Sequence, residues 1–221
     1  MPKLNTLAEL TALRRQASHS LDMQKKQVLV CCGTGCVAGG SMLIYNRIRS
    51  VCEKRGIDVC VELRHEPHGE NIGLKRSGCH GFCEMGPLLK IEPLDVLYIK
   101  VKLEDCDEII EKSILGDEVI DRLLYKADGK TYQGQSDIPF YKKQTRNVLS
   151  NCGQTDAEDI LEYIAKGGYE AVSKVLFNMT PETVCKTISA SGLRGRGGGG
   201  FPAGRKWDQV RRQKEPVHYI I

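Results

Sequence analysis

Two pairs of cysteines in glycine-rich segments constrain this chain more than any other feature of its sequence. Cys31 and Cys36 form a C-x4-C pair, and Cys79 and Cys83 form a C-x3-C pair. The glycines beside both pairs allow the backbone to wrap closely around a bulky inorganic centre and to turn its N–H groups toward sulfur acceptors. An iron–sulfur cluster requires four thiolates, and two such pairs on neighbouring loops supply four.

A structural zinc ion is an alternative centre for the same residues. Zinc sites use cysteines at comparable spacing, and His80 offers a further ligand. A thioredoxin-type redox pair is less well supported, because the chain contains no C-x-x-C motif. The spacing therefore leaves an iron–sulfur cluster and a zinc ion open.

Ten cysteines are unexpected in a chain with this composition. The 221 residues contain no apolar run near the ~20 needed to span a bilayer, and residues 1–16 lack the apolar core of a signal peptide. The sequence therefore predicts a cytoplasmic protein without a membrane span, and disulfides are rare in that compartment. The cysteines then indicate a metal site, redox chemistry or buried thiols. The net charge of +4 is too small to argue for nucleic-acid binding by itself.

Hydrophobic periodicity predicts an α/β domain in the first half of the chain. The expected order is a strand, a helix, a strand, a long loop, a hairpin and a helix. An amphipathic helix over 3–24 precedes these elements and is expected to pack either on its own domain or on a partner subunit. The predicted strands cover 27–31, 57–63, 87–92 and 95–102, and the predicted helices cover 38–54 and 103–115.

The second half is predicted to be mainly helical and to follow a weakly patterned segment. Residues 119–145 mix Gly, Pro and charged residues with little periodicity, which is typical of a linker. A strand-like segment at 217–221 ends the chain, and a core strand at a terminus favours a fragment of a longer protein. The predicted helices cover 156–166, 169–177 and 180–191.

A dense run of glycines lies near the C-terminus, in the segment GLRGRGGGGFPAGRKW at 192–207. Gly195, Gly197 and Gly200 match G-x-G-x-x-G, but a helix rather than a strand precedes them, so the match is weak evidence for a Rossmann fold. Exposed backbone N–H groups still suit a phosphate, and residues 192–214 contain seven basic residues against one acid. An RGG-type RNA-binding segment and a flexible linker are the alternatives.

Residues 27–115 resemble the thioredoxin-like [2Fe–2S] ferredoxin domain of complex I and related hydrogenase subunits. The resemblance rests on CCGTGC at 31–36 and on GCHGFCEMGP at 78–87. An all-cysteine cluster of this type carries one electron at low potential, around −400 mV in plant-type ferredoxins. The ligands that the resemblance implies are Cys31, Cys36, Cys79 and Cys83.

Four further cysteines of this half are not assigned as ligands. Cys32 is adjacent to a ligand and is either a substitute ligand or a buried thiol, and we favour the thiol. Cys52, Cys60 and Cys106 fall in predicted helices and strands, where cysteine behaves as a small apolar residue. They are expected to lie in the core.

Residues 146–221 are similar to the start of the flavin-binding subunit of complex I and its relatives. The similarity rests on YIAKGGY at 163–169 and on SGLRGRGGGGFPAGRKW at 191–207. It implies that the glycine segment holds FMN and lines the NAD(H) pocket, with Lys206 against the flavin phosphate or ring. The implied cofactor-binding residues are Gly195, Arg196, Gly197, Gly198, Gly199, Gly200, Phe201, Gly204 and Lys206.

The order of the two resemblances is most like the flavin subunit of electron-bifurcating [FeFe] hydrogenases. NADP-reducing hydrogenases and NAD-dependent formate dehydrogenases share this arrangement, and complex I-like NADH dehydrogenases are a further alternative. The expected divisions are an N-terminal helix at 1–25, the ferredoxin domain at 26–118, a linker at 119–145 and the truncated start of an α/β FMN-binding domain at 146–221.

The resemblance implies an enzyme subunit that exchanges hydride between NAD(H) or NADP(H) and FMN, and single electrons through the [2Fe–2S] cluster. The implied partners are a ferredoxin-like small subunit and a hydrogenase or formate dehydrogenase catalytic subunit. Family members continue past residue 221 to complete the flavin pocket, so this fragment alone is expected to be inactive. Two rivals remain: a zinc-stabilised basic module that binds RNA, and a stand-alone electron carrier.

Overall fold

A mixed β-sheet organises the half of the chain that carries the cysteine pairs. The computed structural model describes residues 3–63 and 71–217, and the chain divides into two compact units between Gly167 and Gly168. The first unit contains the sheet and a separate β-hairpin, and the second is helical. The strands are β1 (Gln24–Cys31), β2 (Val59–Cys60), β3 (Asn71–Ser77), β4 (Leu89–Glu92), β5 (Val96–Tyr98), β6 (Tyr125–Ala127) and β7 (Lys130–Tyr132).

The sheet order is β2-β3-β1-β4-β5. β1 runs parallel to β3 and antiparallel to β4, and Val28 of β1 lies opposite Leu74 on one side and Ile91 on the other. A parallel β-α-β unit followed by an antiparallel hairpin and a helix is the thioredoxin-like arrangement, so the predicted α/β fold class is confirmed. Because β1 is central, its side chains from Val28 to Cys31 are buried.

Nine α-helices occur in the described ranges, and short 3₁₀ turns connect several elements. The predicted helix at 103–115 is confirmed as one helical run that begins with a 3₁₀ turn and widens into a π-helix at Ile109–Leu115. No helix of the described residues is long and apolar enough to cross a membrane. The α-helices are α1 (Leu7–Asp22), α2 (Thr34–Ala38), α3 (Ser41–Lys54), α4 (Cys106–Glu108), α5 (Pro139–Lys142), α6 (Ile160–Ala165), α7 (Glu170–Asn178), α8 (Pro181–Ala190) and α9 (Ala203–Arg211).

Helix α1 packs on its own unit, which is one of the two arrangements that the sequence left open. Thr6 and Glu9 form a capping box that satisfies free N–H groups at its start. Farther along, Arg14 Nε donates to the carbonyl of Ile164 at 3.1 Å, which ties α1 to α6. The N-terminal helix and the end of the first unit therefore support each other.

Strand β3 is not predicted from the sequence, which instead predicts a long loop between the second strand and the hairpin. The predicted strand at 57–63 is reduced to β2, and the central partner of β1 is β3 instead. β3 was missed because NIGLKRS is polar and contains glycine, both unfavourable in a buried strand. Its Lys75 is nevertheless buried, and its ammonium lies 2.5 Å from Glu162 Oε1.

The segment expected to be a linker, 119–145, has structure of its own. It contains the β6–β7 hairpin and α5, and Ile138 at the start of α5 is fully buried. Leu97 of β5 donates its N–H to the carbonyl of Gln133 at 2.9 Å. These contacts are made with residues distant in sequence, so local periodicity does not reveal them.

The second unit contains helices α7, α8 and α9. α8 begins as predicted, with Thr180 Oγ1 accepting the N–H of Thr183 at 3.2 Å and Pro181 in the first turn. The predicted helix at 156–166 is shorter, since α6 begins at Ile160 after the N-cap Asp159. The predicted strand at 217–221 lies outside the described residues, except for its first residue.

Removing the hydroxyl of Tyr98 should lower the free energy of unfolding by about 1–3 kcal/mol. This fully buried hydroxyl lies 2.6 Å from Ser113 Oγ and accepts the N–H of Ile120 at 3.0 Å. Tyr98→Phe leaves a buried N–H without its acceptor. Urea unfolding measures the loss, and Tyr132→Phe on the partly exposed hairpin is the control. Equal free energies of unfolding for Tyr98→Phe and wild type would contradict a stabilising role for the hydrogen bonds of the Tyr98 hydroxyl.

Candidate metal centre

Two loops at one end of the sheet bring the four predicted ligands together. β1 ends at Cys31 and leads into α2, which carries Cys36. The loop after β3 carries Cys79, and the 3₁₀ turn Cys83–Met85 begins with the fourth cysteine. Because β1 and β3 are adjacent and parallel, their ends lie side by side and place these loops next to each other.

The sulfur atoms form two close pairs that contact each other. Cys79 Sγ lies 3.7 Å from Cys83 Sγ. Cys31 shares hydrogen bonds with the thiols of Cys36 and Cys79, which connects the buried pair to the exposed pair. Cys31 and Cys36 are buried, whereas Cys79 and Cys83 are exposed. The four sulfurs thus lie together in one site, and the second pair is on its exposed side.

Glycines permit this approach because a side chain would collide with the cysteines. A Cβ on Gly33 would lie 2.8 Å from Cys79 Cβ, and a Cβ on Gly86 would lie 2.7 Å from Cys36 Sγ. Both distances are shorter than van der Waals contact. Gly33 and Gly86 therefore lie where the backbone of one loop contacts a predicted ligand on the other.

Backbone N–H groups point at the sulfurs. Gly81 donates its N–H to Cys79 Sγ at 3.3 Å, and the N–H groups of His80 and Gly33 donate to Cys31. The pKa of Cys31 is lowered to about 6, and the hydrogen bond from the Cys36 thiol contributes most to this shift. Because Cys36 keeps the proton of this hydrogen bond, its own pKa is raised. Donors aimed at sulfur stabilise the thiolate form that a metal requires.

His80 lies behind the cysteines and does not face them as a ligand. Its side chain is fully buried, and Nε2 lies 2.8 Å from Ser77 Oγ, which donates to the carbonyl of Val30 at 3.0 Å. Burial lowers the pKa of His80 to about 4, so the imidazole is neutral at pH 7. The sequence indicates His80 only as a possible zinc ligand, and nothing in it signals this supporting position.

The other four cysteines between residues 27 and 115 have different surroundings. Cys32 Sγ contacts the carbonyl of Val30 at 3.5 Å and Met42 Sδ at 3.6 Å, and burial raises its pKa to about 11. Cys32 is half-buried against these groups, and its role as a thiol rather than a ligand stays a prediction. The expectation that Cys52, Cys60 and Cys106 are core residues is confirmed, because each is buried.

The donor set fits an iron–sulfur cluster by its chemistry. Four cysteine sulfurs converge from two loops, glycines leave room beside them, and N–H groups are directed at three of them, Cys36 receiving the N–H of Leu88. Within residues 3–63 and 71–217, no group of three or more His, Cys, Asp or Glu side chains has the geometry of a single metal-ion site.

The glycine segment of the second unit forms a closed loop between α8 and α9. Gly195 donates its N–H to Phe201 at 2.9 Å, and Ala203 donates to Leu193 at 2.9 Å, so the loop is pinned at its base. Gly198 has φ of +109° and no atom within 4 Å of a Cβ built on it. The tip is exposed, and its glycine is required by backbone conformation rather than by space.

The predicted flavin-binding residues of this unit differ in burial: Gly204 is buried, and Lys206 is exposed. Gly204 is buried at the start of α9, and a Cβ there would overlap Ser189 of α8. It therefore sets the close approach of the two helices. Lys206 is exposed one turn into α9 beside the loop, as are Arg196 and Phe201 within it. The structure brings these exposed residues together on one loop and its following helix.

No protein-family model matches the chain, but curated proteins match part of it. The NADP-reducing hydrogenase subunit HndC of Solidesulfovibrio fructosivorans is 49% identical over 80 residues, which are 36% of this chain and 16% of that protein. An NADH-quinone oxidoreductase subunit of Aquifex aeolicus is 40% identical over 81 residues, 36% of this chain and 19% of that protein. The chain is thus homologous, over about a third of its length, to subunits of such enzymes, and the match spans less than a fifth of each relative.

Solved structures align with the chain at low TM-scores. A thioredoxin-like [2Fe-2S] ferredoxin from Aquifex aeolicus aligns over 45% of this chain and 89% of its own length, with 27% identity and a TM-score of 0.36. An NAD+-reducing [NiFe]-hydrogenase in the air-oxidized state aligns over 95% of this chain and 34% of its own, with 16% identity and a TM-score of 0.36.

Proposed function

We propose that this chain is part of a flavin and iron–sulfur subunit of an NAD(P)H-linked oxidoreductase. In this proposal Cys31, Cys36, Cys79 and Cys83 hold a [2Fe–2S] cluster. The observation that carries it is the convergence of the two cysteine pairs at the adjacent ends of β1 and β3. The partial homology to hydrogenase and NADH-quinone oxidoreductase subunits supports the class of enzyme.

A [2Fe–2S] cluster, when bound, accepts and donates one electron at a time. The chain supplies the thiolates, and β1 and β3 fix the loops that present them. The N–H groups of Gly33, His80 and Gly81 stabilise negative charge on the sulfurs. The buried pair anchors the centre on the core, and the exposed pair leaves one side within reach of an electron partner.

The glycine loop is proposed to hold FMN in the complete protein. Its exposed N–H groups and its basic neighbours suit a phosphate, and the loop is already shaped by the bonds at its base. Lys206 and Arg196 would face the anionic ligand, and Gly204 would act by holding α9 against α8. When bound, FMN would supply the exchange of hydride with NAD(H) or NADP(H) and of single electrons with iron–sulfur centres.

A hydrogenase flavin subunit is the form of the proposal that the 49% identity to HndC favours. A complex I-like subunit is the second candidate, favoured by the 40% identity to the NADH-quinone oxidoreductase subunit of Aquifex aeolicus. A formate dehydrogenase subunit rests on the sequence resemblance alone. A ferredoxin-like small subunit and a catalytic subunit are the proposed partners, and electron bifurcation is part of the hydrogenase form. The division into an N-terminal helix, a ferredoxin domain, a connecting segment and a flavin domain is likewise proposed.

A visible spectrum of the anaerobically purified chain, before and after dithionite, tests the cluster. We expect broad absorption bands that bleach on reduction, and about two iron and two sulfide per chain. A protein that stays colourless after reconstitution with iron and sulfide, and that contains zinc, would instead support the zinc-stabilised module.

Titration with FMN, followed by quenching of flavin fluorescence, tests the glycine loop. It requires the longest natural polypeptide that contains this chain, because the match covers less than a fifth of each of the two relatives. Saturable binding of one FMN supports the proposal. Cluster bands without flavin binding by that polypeptide would support a stand-alone electron carrier.

A further inference from the structure

We propose that Gly153 and His80 together set the reduction potential of the cluster, with the segment 151–157 acting as a brace behind the ligand loop. The inference rests on the proposed cluster and assigns a positioning role to residues that do not touch it. Its starting point is the contact between the buried imidazole of His80 and the backbone of Gly153.

His80 contributes to the cluster site through its backbone. It directly follows Cys79, and its own N–H donates to the sulfur of Cys31. This N–H therefore joins the two cysteine pairs. The side chain of His80 is fixed on the opposite side by Ser77 Oγ, 2.8 Å from Nε2. A group that pushes the ring away without room to rotate would shift the Cα of His80, and with it the peptide that carries the N–H.

Gly153 lies against the imidazole on the side of Nδ1, and the side chain of Gln135 also interacts with the ring. A Cβ at this position would lie 2.9 Å from His80 Nδ1 and 3.0 Å from Cγ. The residue also has φ of +76°, a backbone conformation that favours glycine. The ring of His80 is thus held between Ser77 and the backbone of Gly153, with no space for a methyl group.

The segment around Gly153 is fixed to the sheet, so it provides a rigid surface. Ala157 donates its N–H to the carbonyl of Arg76 at 3.0 Å, and Arg76 donates its N–H to Asp156 Oδ2 at 2.8 Å. Asp156 also forms an isolated antiparallel bridge with Ser77. The segment thereby extends the edge of β3 and keeps Gly153 behind the ligand loop.

The expected effect on the reduction potential follows from the negative charge that the cluster gains on reduction. Reduction adds one negative charge to the centre, and N–H groups that donate to its sulfurs stabilise that charge. Displacing His80 weakens the donation to Cys31, so the reduced form becomes less favourable. The reduction potential should therefore become more negative.

The test compares Gly153→Ala with Gly129→Ala in the cluster-loaded chain. Gly129 has φ of +72° and no atom within 4 Å of a built Cβ, so alanine there adds similar backbone strain without a collision. We expect Gly153→Ala to shift the equilibrium toward the oxidised cluster by about tenfold, which is 59 mV for one electron. Gly129→Ala should keep the wild-type potential.

A double variant shows whether the effect passes through His80. In the His80→Ala background the methyl group of Ala at 153 has no ring to displace, so adding Gly153→Ala should cause no further shift in potential or in the electron paramagnetic resonance spectrum. If Gly153→Ala alone prevents loading, loading should return in the double variant.

Three results would overturn the proposal: a wild-type potential in loaded Gly153→Ala, the same shift in Gly129→Ala, or an effect of Gly153→Ala on potential or loading that persists without His80. Failure of the wild-type chain to load a cluster would instead overturn the proposed function, so the two failures are distinguishable.

Discussion

Replacing Cys31 with alanine should abolish the visible absorption bands of the cluster, whereas replacing the adjacent Cys32 should leave them. Cys31 is buried at the end of β1 and contacts the thiols of both Cys36 and Cys79. Its loss removes the ligand that connects the two pairs. Cys32 instead contacts the carbonyl of Val30 and the sulfur of Met42.

Iron and sulfide content per chain, measured after identical reconstitution, checks this prediction. Cys31→Ala should retain less than about a tenth of the wild-type content, since a [2Fe–2S] cluster needs four protein ligands. Cys32→Ala serves as the matched control, because it removes a thiol one residue away. Normal loading of Cys31→Ala, lost only when Cys32 is also replaced, would show that Cys32 is the ligand.

Replacing Lys75 with methionine should lower the free energy of unfolding by about 3–5 kcal/mol. The ammonium of Lys75 lies 2.5 Å from Glu162 Oε1, and only 2% and 3% of the two side chains are exposed. Methionine keeps most of the volume of lysine but leaves the carboxylate of Glu162 buried without its counter-ion. An uncompensated buried charge costs far more than the ion pair itself contributes.

Chemical denaturation of Lys75→Met and of Lys75→Met/Glu162→Gln measures this cost. The second replacement removes the stranded charge and keeps the shape of the side chain, so it should restore much of the stability. Lys112→Met is the control, because Lys112 forms an ion pair with Glu108 on the exposed surface of the helix, where such pairs contribute little. A stability loss no larger than that of the control would contradict the buried pair.

The grouping of the four cysteines could be predicted from sequence because its information is local. Each cysteine pair lies within a few residues of the glycines that shape its loop, so the pattern specifies both the cysteines and the turn. The helices with clear caps, such as α8 after Thr180, were predictable for the same reason. Where the conformation of a residue is set by its neighbours in sequence, a sequence motif indicates it.

β3 could not be predicted, because the partner that permits its burial is distant in sequence. Lys75 is a poor core residue until Glu162 is placed beside it, and the two are separated by more than eighty positions. The brace at Gly153 is similar, since nothing in NCGQTD indicates a contact with His80. The sequence of the segment 119–145 predicts a linker because its buried residues are too few to form a pattern.

The unequal exposure of the two cysteine pairs implies a direction for the maturation of the centre. The inner pair, Cys31 and Cys36, is walled in by the core, so an incoming cluster must arrive over Cys79 and Cys83. In the proposed cluster site, these two thiols would be the first to meet incoming iron, and the inner pair would complete the ligation. Chelators and oxygen would reach a bound centre from the same exposed side.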